Sequence, residues 1–164
     1  YKNLERLIQA FAQTELPDVK LLIAGVPDPR YTPFLQAQVR EMALDNRVQF
    51  LSYVPYGELP RLLNQAIALV FPSLWEGFGL PVLEAMACGT PVITSKISSL
   101  PEVAGDAALL IDPYNVDELA EAMMAVACDS GLWARLQGAG LARAKAFSWE
   151  KTGRQTSTIL NQYL

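Results

Sequence analysis

Phe71-Pro72-Ser73-Leu74-Trp75-Glu76-Gly77-Phe78-Gly79-Leu80-Pro81-Val82-Leu83-Glu84-Ala85-Met86-Ala87-Cys88-Gly89-Thr90-Pro91-Val92-Ile93 reads as strand, glycine turn, helix and strand. The apolar run Ile67 to Phe71 is the first strand, the helix lies near 81–88, and Pro91 to Thr94 opens the next strand. Pro81 suits the first helical turn, where its missing N–H breaks no hydrogen bond. Gly77 and Gly79 let the backbone come close to a ligand. The amides of Phe78, Gly79 and Leu80 would then stand unpaired at a helix N-terminus, which favours an anion such as a phosphate or diphosphate. The turn is not a P-loop, because the lysine and hydroxyl residue of GxxxxGK[ST] are absent.

Two glutamates flank this turn. Glu84 lies four residues beyond Leu80, one helical turn or about 5–6 Å further along. A carboxylate repels phosphate but accepts hydrogen bonds from both hydroxyls of a vicinal diol, such as a ribose beside a diphosphate. Glu76 precedes the turn and points to the other end of such a ligand. Taken one at a time, both have blander readings: Glu84 facing solvent, and Glu76 complementing the helix dipole.

Outward from this stretch the same alternation continues. Upstream, Leu4, Leu7, Ile8 and Phe11 share one helical face with Asn3 as N-cap, and Val19 to Gly25 is a buried strand. A proline-rich loop leads to a helix at 34–44, Val48 to Val54 forms a strand, and Leu59, Leu62, Leu63 and Ala66 share another helical face. Downstream, Ala107 to Ile111 is a last strand, Asn115 and Glu118 fit a capping box, and helices fill most of 116–164, the middle one weakened by Gly138 and Gly140. Ser148 caps the final helix, with Thr152, Thr156, Ile159, Leu160 and Tyr163 along one side. Such alternation implies crossover connections: an α/β fold, doubly wound, with a mainly parallel Rossmann-like sheet and helices on both faces. Ligands of such sheets bind beyond the carboxyl ends of the strands, here the loops after Gly25, Val54, Phe71 and Thr94.

Composition narrows the chemistry. The 164 residues are 51% hydrophobic and 18% charged, sufficient for one well-filled core. A net charge of −4 argues against a nucleic-acid partner. The absence of histidine removes imidazole bases, histidine-dependent triads and HExxH sites. Cys88 and Cys128 read as two buried thiols in a reducing compartment. No apolar run nears the roughly 18 residues of a membrane span, and no signal peptide opens the chain. Tyr1-Lys2-Asn3-Leu4 runs straight into a helical pattern without an initiator methionine, so the chain reads as a piece of a longer protein.

The segment resembles the donor-binding motif of retaining glycosyltransferases of family 4 (glycosyltransferase group 1), including paired glutamates with seven residues between them. The likeness extends through Lys2-Asn3-Leu4, Ile23-Ala24-Gly25, Val48 to Val54, Pro101-Glu102-Val103-Ala104-Gly105 and Leu110-Ile111-Asp112-Pro113. It implies the C-terminal, donor-binding half of a two-domain GT-B enzyme over 1–164, with the first strand and the N-terminal acceptor domain lying outside this chain. By motif position, Glu84 would hold the ribose of a UDP- or GDP-sugar. Glu76 would hold the hydroxyls of the transferred sugar as the catalytic-site residue, and Gly77, Phe78, Gly79 and Leu80 would face the diphosphate and sugar. Lys2 matches a lysine that steadies the diphosphate. Gly25, Tyr53 and Val54 would lie near the nucleobase. The resemblance further implies hexosyl transfer with retention, no cofactor and no metal, and a cytoplasmic protein. Contact with the inner face of the membrane through the missing domain is left open, and the fragment alone is expected to be inactive.

Other residues in these loops have structural explanations. Tyr53 fits equally a packing aromatic, Trp75 fits a cover over the core ahead of a wall of the sugar site, and turn chemistry accounts for Ser73 and Ser98. Met123 and Met124 belong to an apolar helix. Two other functions compete: a nucleotide-sugar binding module without transferase activity, and a nicotinamide-dependent oxidoreductase. The second needs GxGxxG at the first strand–helix turn, whereas Gly25 is followed by Val26-Pro27-Asp28.

Overall fold

The computed structural model describes residues 1–163, along which strand and helix alternate. In chain order these are α1 Leu4–Ala12, β1 Leu21–Ala24, α2 Thr32–Glu41, β2 Val48–Leu51, α3 Leu59–Gln65, β3 Leu69–Phe71 and α4 Leu80–Ala87. Then follow β4 Val92–Ser95, α5 Leu100–Ala104, a 3-10 turn at Gly105–Ala107, β5 Leu109–Ile111, α6 Val116–Cys128, α7 Ser130–Ala144 and α8 Trp149–Leu160. Every ladder is parallel, so each connection must cross over the sheet.

The strands form two hydrogen-bonded groups, β1–β2 and β3–β4–β5. Among the described residues no ladder joins β1 to β3, which is the pair expected to flank the first strand of a Rossmann order. All four residues of β4 are buried, as befits a strand paired on both sides. In β1, Leu21 is buried while Leu22 and Ala24 are exposed. The strands are shorter than the apolar runs that announced them. Val48 to Val54, for instance, keeps its ladder only through Leu51, because β1 supplies partners only from Leu21 to Ala24.

Two apolar clusters support these groups. Leu7, Ile8 and Phe11 of α1 join β1, β2, Ile93, Ile111 and the buried face of α6. Val82, Ala85 and Met86 of α4 join Leu63, Val92, Leu100 and Val103. Ser148 caps α8 by accepting from Lys151 N–H at 3.1 Å, and Asn115 accepts from the amides of Asp117 and Glu118. The return bond of a capping box is not made, since the amide of Asn115 donates to the Asp112 carbonyl and Glu118 faces Lys96. Helix α8 departs further from expectation: none of its described residues is buried, and the row from Thr152 to Tyr163 faces away from the core.

Gly138 and Gly140 do not break α7, which runs through both. Gly140 lies where α7 crosses α4, and a Cβ there would stand 3.2 Å from Met86 Cγ and 3.5 Å from its Cα. The glycine permits this close approach of two helices. Nothing lies within 4 Å of a Cβ at Gly138. Gly140→Leu is therefore expected to destabilise the protein by overpacking, about 1–3 kcal/mol. Gly138→Ala is expected to stabilise it by about 0.5–1 kcal/mol through helix propensity. Thermal unfolding should show opposite shifts, roughly 2–4 °C per kcal/mol for a chain of this size.

Candidate functional site

At the carboxyl end of β3 the chain makes its glycine turn and enters α4. Gly79 occupies the N-cap position with φ 111 and ψ 45, in territory unfavourable for L side chains. A Cβ there would also come within 2.8 Å of the fully buried Leu100 side chain. Gly77 has open space around it, so packing within the chain does not demand a glycine there. Among the described residues, the N–H groups of Gly77, Phe78, Gly79 and Leu80 donate to no backbone or side-chain acceptor. Together with the helix dipole, these amides form a patch of positive potential.

Lys2 reaches this turn from the other end of the sequence. Its Nζ lies 2.7 Å from Glu76 Oε1, with 4.6 Å to the Phe71 ring centroid and 5.0 Å to that of Tyr1. The Glu76 side chain is only 14% exposed, against 39% for Lys2. The backbone beside Lys2 is tied down on both sides. Leu74 N–H donates to the Tyr1 carbonyl at 2.8 Å, and Asn3 Nδ2 donates to the carbonyls of Pro72 and Pro113 at 3.1 and 2.7 Å. Asn3 thus stands before α1 without its side chain capping the helix, contrary to expectation, because its amide is spent on the exits of two strands.

Glu84 follows one turn into α4, half-buried, and its carboxylate has no hydrogen bond or ion pair among the described residues. Lys2, Glu76, the Gly77–Leu80 amides and Glu84 thus lie along one turn and the helix it starts. The other candidates stand on the separate β1–β2 group. Gly25, with φ 150, follows β1, and Tyr53, 66% exposed, follows β2. Val54 is half-buried and lines a cleft of about 260 Å³ with Leu51, Glu58, Arg61, Leu62 and Gln65. Among the described residues no group of three or more histidine, cysteine, aspartate or glutamate side chains is placed to hold a metal ion.

Several expectations need correcting. Trp75 does not cover the core: it is 68% exposed, because the chain leaves β3 outward into the turn. The cysteines are not both buried: Cys128 is exposed at the end of α6, and Cys88 is only half-buried. Ser73 is fully buried and its Oγ has no partner among the described residues, so turn chemistry does not explain it. Sequence reasoning also passed over Ser99, whose Oγ lies 2.9 Å from the carbonyls of both Glu76 and Phe78, and the link from Phe78 to Phe147. Those two rings meet edge to face at 5.9 Å, and Arg143 stacks on Phe147 while donating to the carbonyls of Glu102 and Val103.

A family model described as glycosyl transferases group 1 matches residues 1–140. The chain belongs to this family. It is 48% identical over 110 residues to the O-antigen chain mannosyltransferase B of Escherichia coli, an alignment covering 66% of this chain and 29% of that protein. It is 33% identical over 163 residues to the MMP alpha-(1->4)-mannosyltransferase of Mycolicibacterium hassiacum, covering 96% of this chain and 39% of the relative. Among solved structures, HepE of Anabaena in complex with UDP and glucose superposes with a TM-score of 0.90 at 27% identity, over 99% of this chain and 45% of that one. Sucrose-phosphate synthase of Thermosynechococcus elongatus superposes with a TM-score of 0.87 at 34% identity, over 99% of this chain and 42% of that one. The doubly wound α/β architecture is thus that of the GT-B glycosyltransferases, and the chain spans less than half the length of these relatives. Among the described residues no helix is long and apolar enough to cross a membrane.

Cys88 gives this group 1 domain a reporter beside Glu84. Burial first, and the Glu84 charge second, push its thiol above the ordinary range. Since the thiolate is the reacting form, Cys88 should alkylate more slowly at pH 7–8 than the exposed Cys128. Glu84→Gln should speed Cys88 alkylation by at most about tenfold, the factor one pKa unit is worth, and leave Cys128 unchanged. Iodoacetamide labelling followed by peptide mass spectrometry measures both rates.

Proposed function

We propose that this chain is the donor-binding domain of a retaining, family 4 hexosyltransferase, which moves a hexose from a nucleoside-diphosphate sugar to a glycan or lipid-linked acceptor. One arrangement carries the reading: the Lys2–Glu76 pair stands beside four unpartnered amides, Gly77 to Leu80, with the unpaired carboxylate of Glu84 one turn further on. The amides and Lys2 take the diphosphate, Glu84 takes the two ribose hydroxyls, and Glu76 holds hydroxyls of the transferred sugar. Gly25, Tyr53 and Val54 approach the base. When the bond from the anomeric carbon to the diphosphate oxygen breaks, its electron pair goes to the leaving group. Lys2 and fixed N–H dipoles stabilise that growing negative charge without reorganising. No step on this chain calls for a resident metal ion or cofactor.

The relatives suggest which donors to compare. The mannosyltransferase names favour a GDP-linked mannose, and the HepE complex holds UDP and glucose. The acceptor surface is assigned to a second domain, because the chain spans 29% of the mannosyltransferase B sequence and 45% of the HepE chain. We place the whole protein in the cytoplasm, with any membrane contact made by that second domain.

Calorimetric titration with UDP and GDP tests the assignment. Hydrogen bonds to a charged group contribute about 1.5–3 kcal/mol, so Glu84→Ala should weaken nucleoside-diphosphate binding about 10- to 100-fold. Glu76→Ala should bind the bare diphosphate no worse than wild type, because Lys2 is released, while turnover with the sugar donor falls. Equal affinity in Glu84→Ala and wild type removes the ribose assignment.

The chain alone should bind donor weakly and transfer nothing. Correct orientation of acceptor and donor contributes on the order of 7–11 kcal/mol at best, and a half-cleft forfeits much of it. Turnover by the chain within about tenfold of the full-length enzyme, a barrier difference of about 1.4 kcal/mol, overturns the two-domain reading. Donor binding without turnover by the full-length protein would instead indicate a nucleotide-sugar binding module.

A further inference from the structure

The turn that carries the unpartnered amides is held from behind by two serines on a different loop. Ser98 and Ser99 lie between β4 and α5, remote in sequence from the turn they contact. Ser98 Oγ accepts from the Glu76 N–H at 3.0 Å and donates to the Glu76 carbonyl at 2.9 Å. One hydroxyl thus closes on both backbone groups of a single residue. Ser99 Oγ lies 2.9 Å from the carbonyls of Glu76 and Phe78 and shares its one hydrogen between them.

These bonds have a directional consequence. Among the described residues no peptide bond is cis, so the N–H of each residue points away from the carbonyl that precedes it. With the Glu76 carbonyl turned to both serines, the Gly77 N–H faces the opposite side. With the Phe78 carbonyl turned to Ser99, so does the Gly79 N–H. Those are two of the amides that donate to no acceptor among the described residues. Leu100, next in sequence, completes the support, since its buried side chain fills the space a Cβ at Gly79 would need.

Ser98 pays a conformational cost to stand there. Among the described residues it is one of three non-glycine residues with positive φ, at 61°, in the left-handed region that serine enters reluctantly. Turn formation alone would be served better by glycine or asparagine. A serine tolerated in that conformation, with its hydroxyl bonded to a neighbouring loop, points to the hydroxyl as the reason for the residue.

We propose that Ser98 and Ser99 are positioning residues that aim the Gly77 and Gly79 amides at the donor diphosphate and hold the backbone of Glu76 in place for the sugar. The inference rests on the donor-site reading above, but assigns to the β4–α5 loop a role in donor affinity and turnover that its own contacts with ligand do not require.

The test separates orientation from folding. Ser98→Gly removes the hydroxyl and relieves the left-handed conformation, so its melting temperature should equal or exceed that of wild type. Its Kd for UDP or GDP, whichever wild type binds, should nevertheless rise about tenfold. Ser99→Ala should act in the same direction, and Ser99→Thr, which restores a hydroxyl at a residue with ordinary helical φ of −78°, should recover most of the affinity. Amide hydrogen exchange gives a readout independent of ligand: the Glu76 N–H, bonded to Ser98 Oγ, should lose protection in Ser98→Gly. If wild type binds neither nucleotide, the donor-site reading itself fails. If wild type binds and Ser98→Gly and Ser99→Ala bind equally well, the donor-site reading stands and the positioning role is overturned. Loss of affinity in Ser99→Ala that Ser99→Thr does not restore also overturns it.

Discussion

One buried side-chain amide, that of Asn3, holds the beginning of the chain against the ends of two strands. Its two N–H groups go to the carbonyls of Pro72 and Pro113, and its oxygen accepts from Arg6, so its hydrogen-bonding capacity is almost fully used. Asparagine is among the few residues that tolerate its φ of 61°. Without that amide, two carbonyls in a region closed to water would lose partners, at about 1–3 kcal/mol each. Lys2 is thereby fixed between Asn3 and a Tyr1 carbonyl bonded to Leu74, so only its side chain remains to be placed. Most of the entropy cost of bringing a remote ammonium group to the turn is met by folding itself.

The electrostatics of the site follow from that placement. Glu76 and Glu84 lie in an acidic chain and would alone make the turn hostile to a diphosphate. Lys2 and the exposed amide dipoles oppose them. The Lys2–Glu76 pair is partly exposed and contributes little to stability. The ammonium also lies over the rings of Tyr1 and Phe71, and this cation–π attraction keeps it beside the turn independently of the carboxylate.

The strand–helix alternation could be read because apolar periodicity is local, and the glycine turn because its parts are contiguous. Element ends could not be read as well, since a strand stops where its neighbour stops, as β2 does at Leu51. Interactions between distant positions left no local mark. The Lys2–Glu76 pair spans 74 residues, and the bonds of Ser98 and Ser99 to Glu76 span 22 and 23. Asn3 looked like an N-cap because it precedes a helix, yet its side chain serves more distant carbonyls. Trp75 looked like core because tryptophan is large and apolar, but its position at the mouth of the turn turns it outward. Gly140 was read through helix propensity, whereas the deciding quantity was its distance to Met86 on another helix.

The contact between Phe78 and Phe147 joins the turn to the corner where α7 gives way to α8. Arg143 stiffens that corner by stacking on Phe147 and gripping the last carbonyls of α5. Beyond it, α8 extends about 18 Å from its 12 residues without burying any of those described. A helix of that length, pivoting by about 5° at its base, moves its far end by about 1.5 Å. On such a lever arm, a change of angle at the Phe147 corner would register most strongly at the far end of α8.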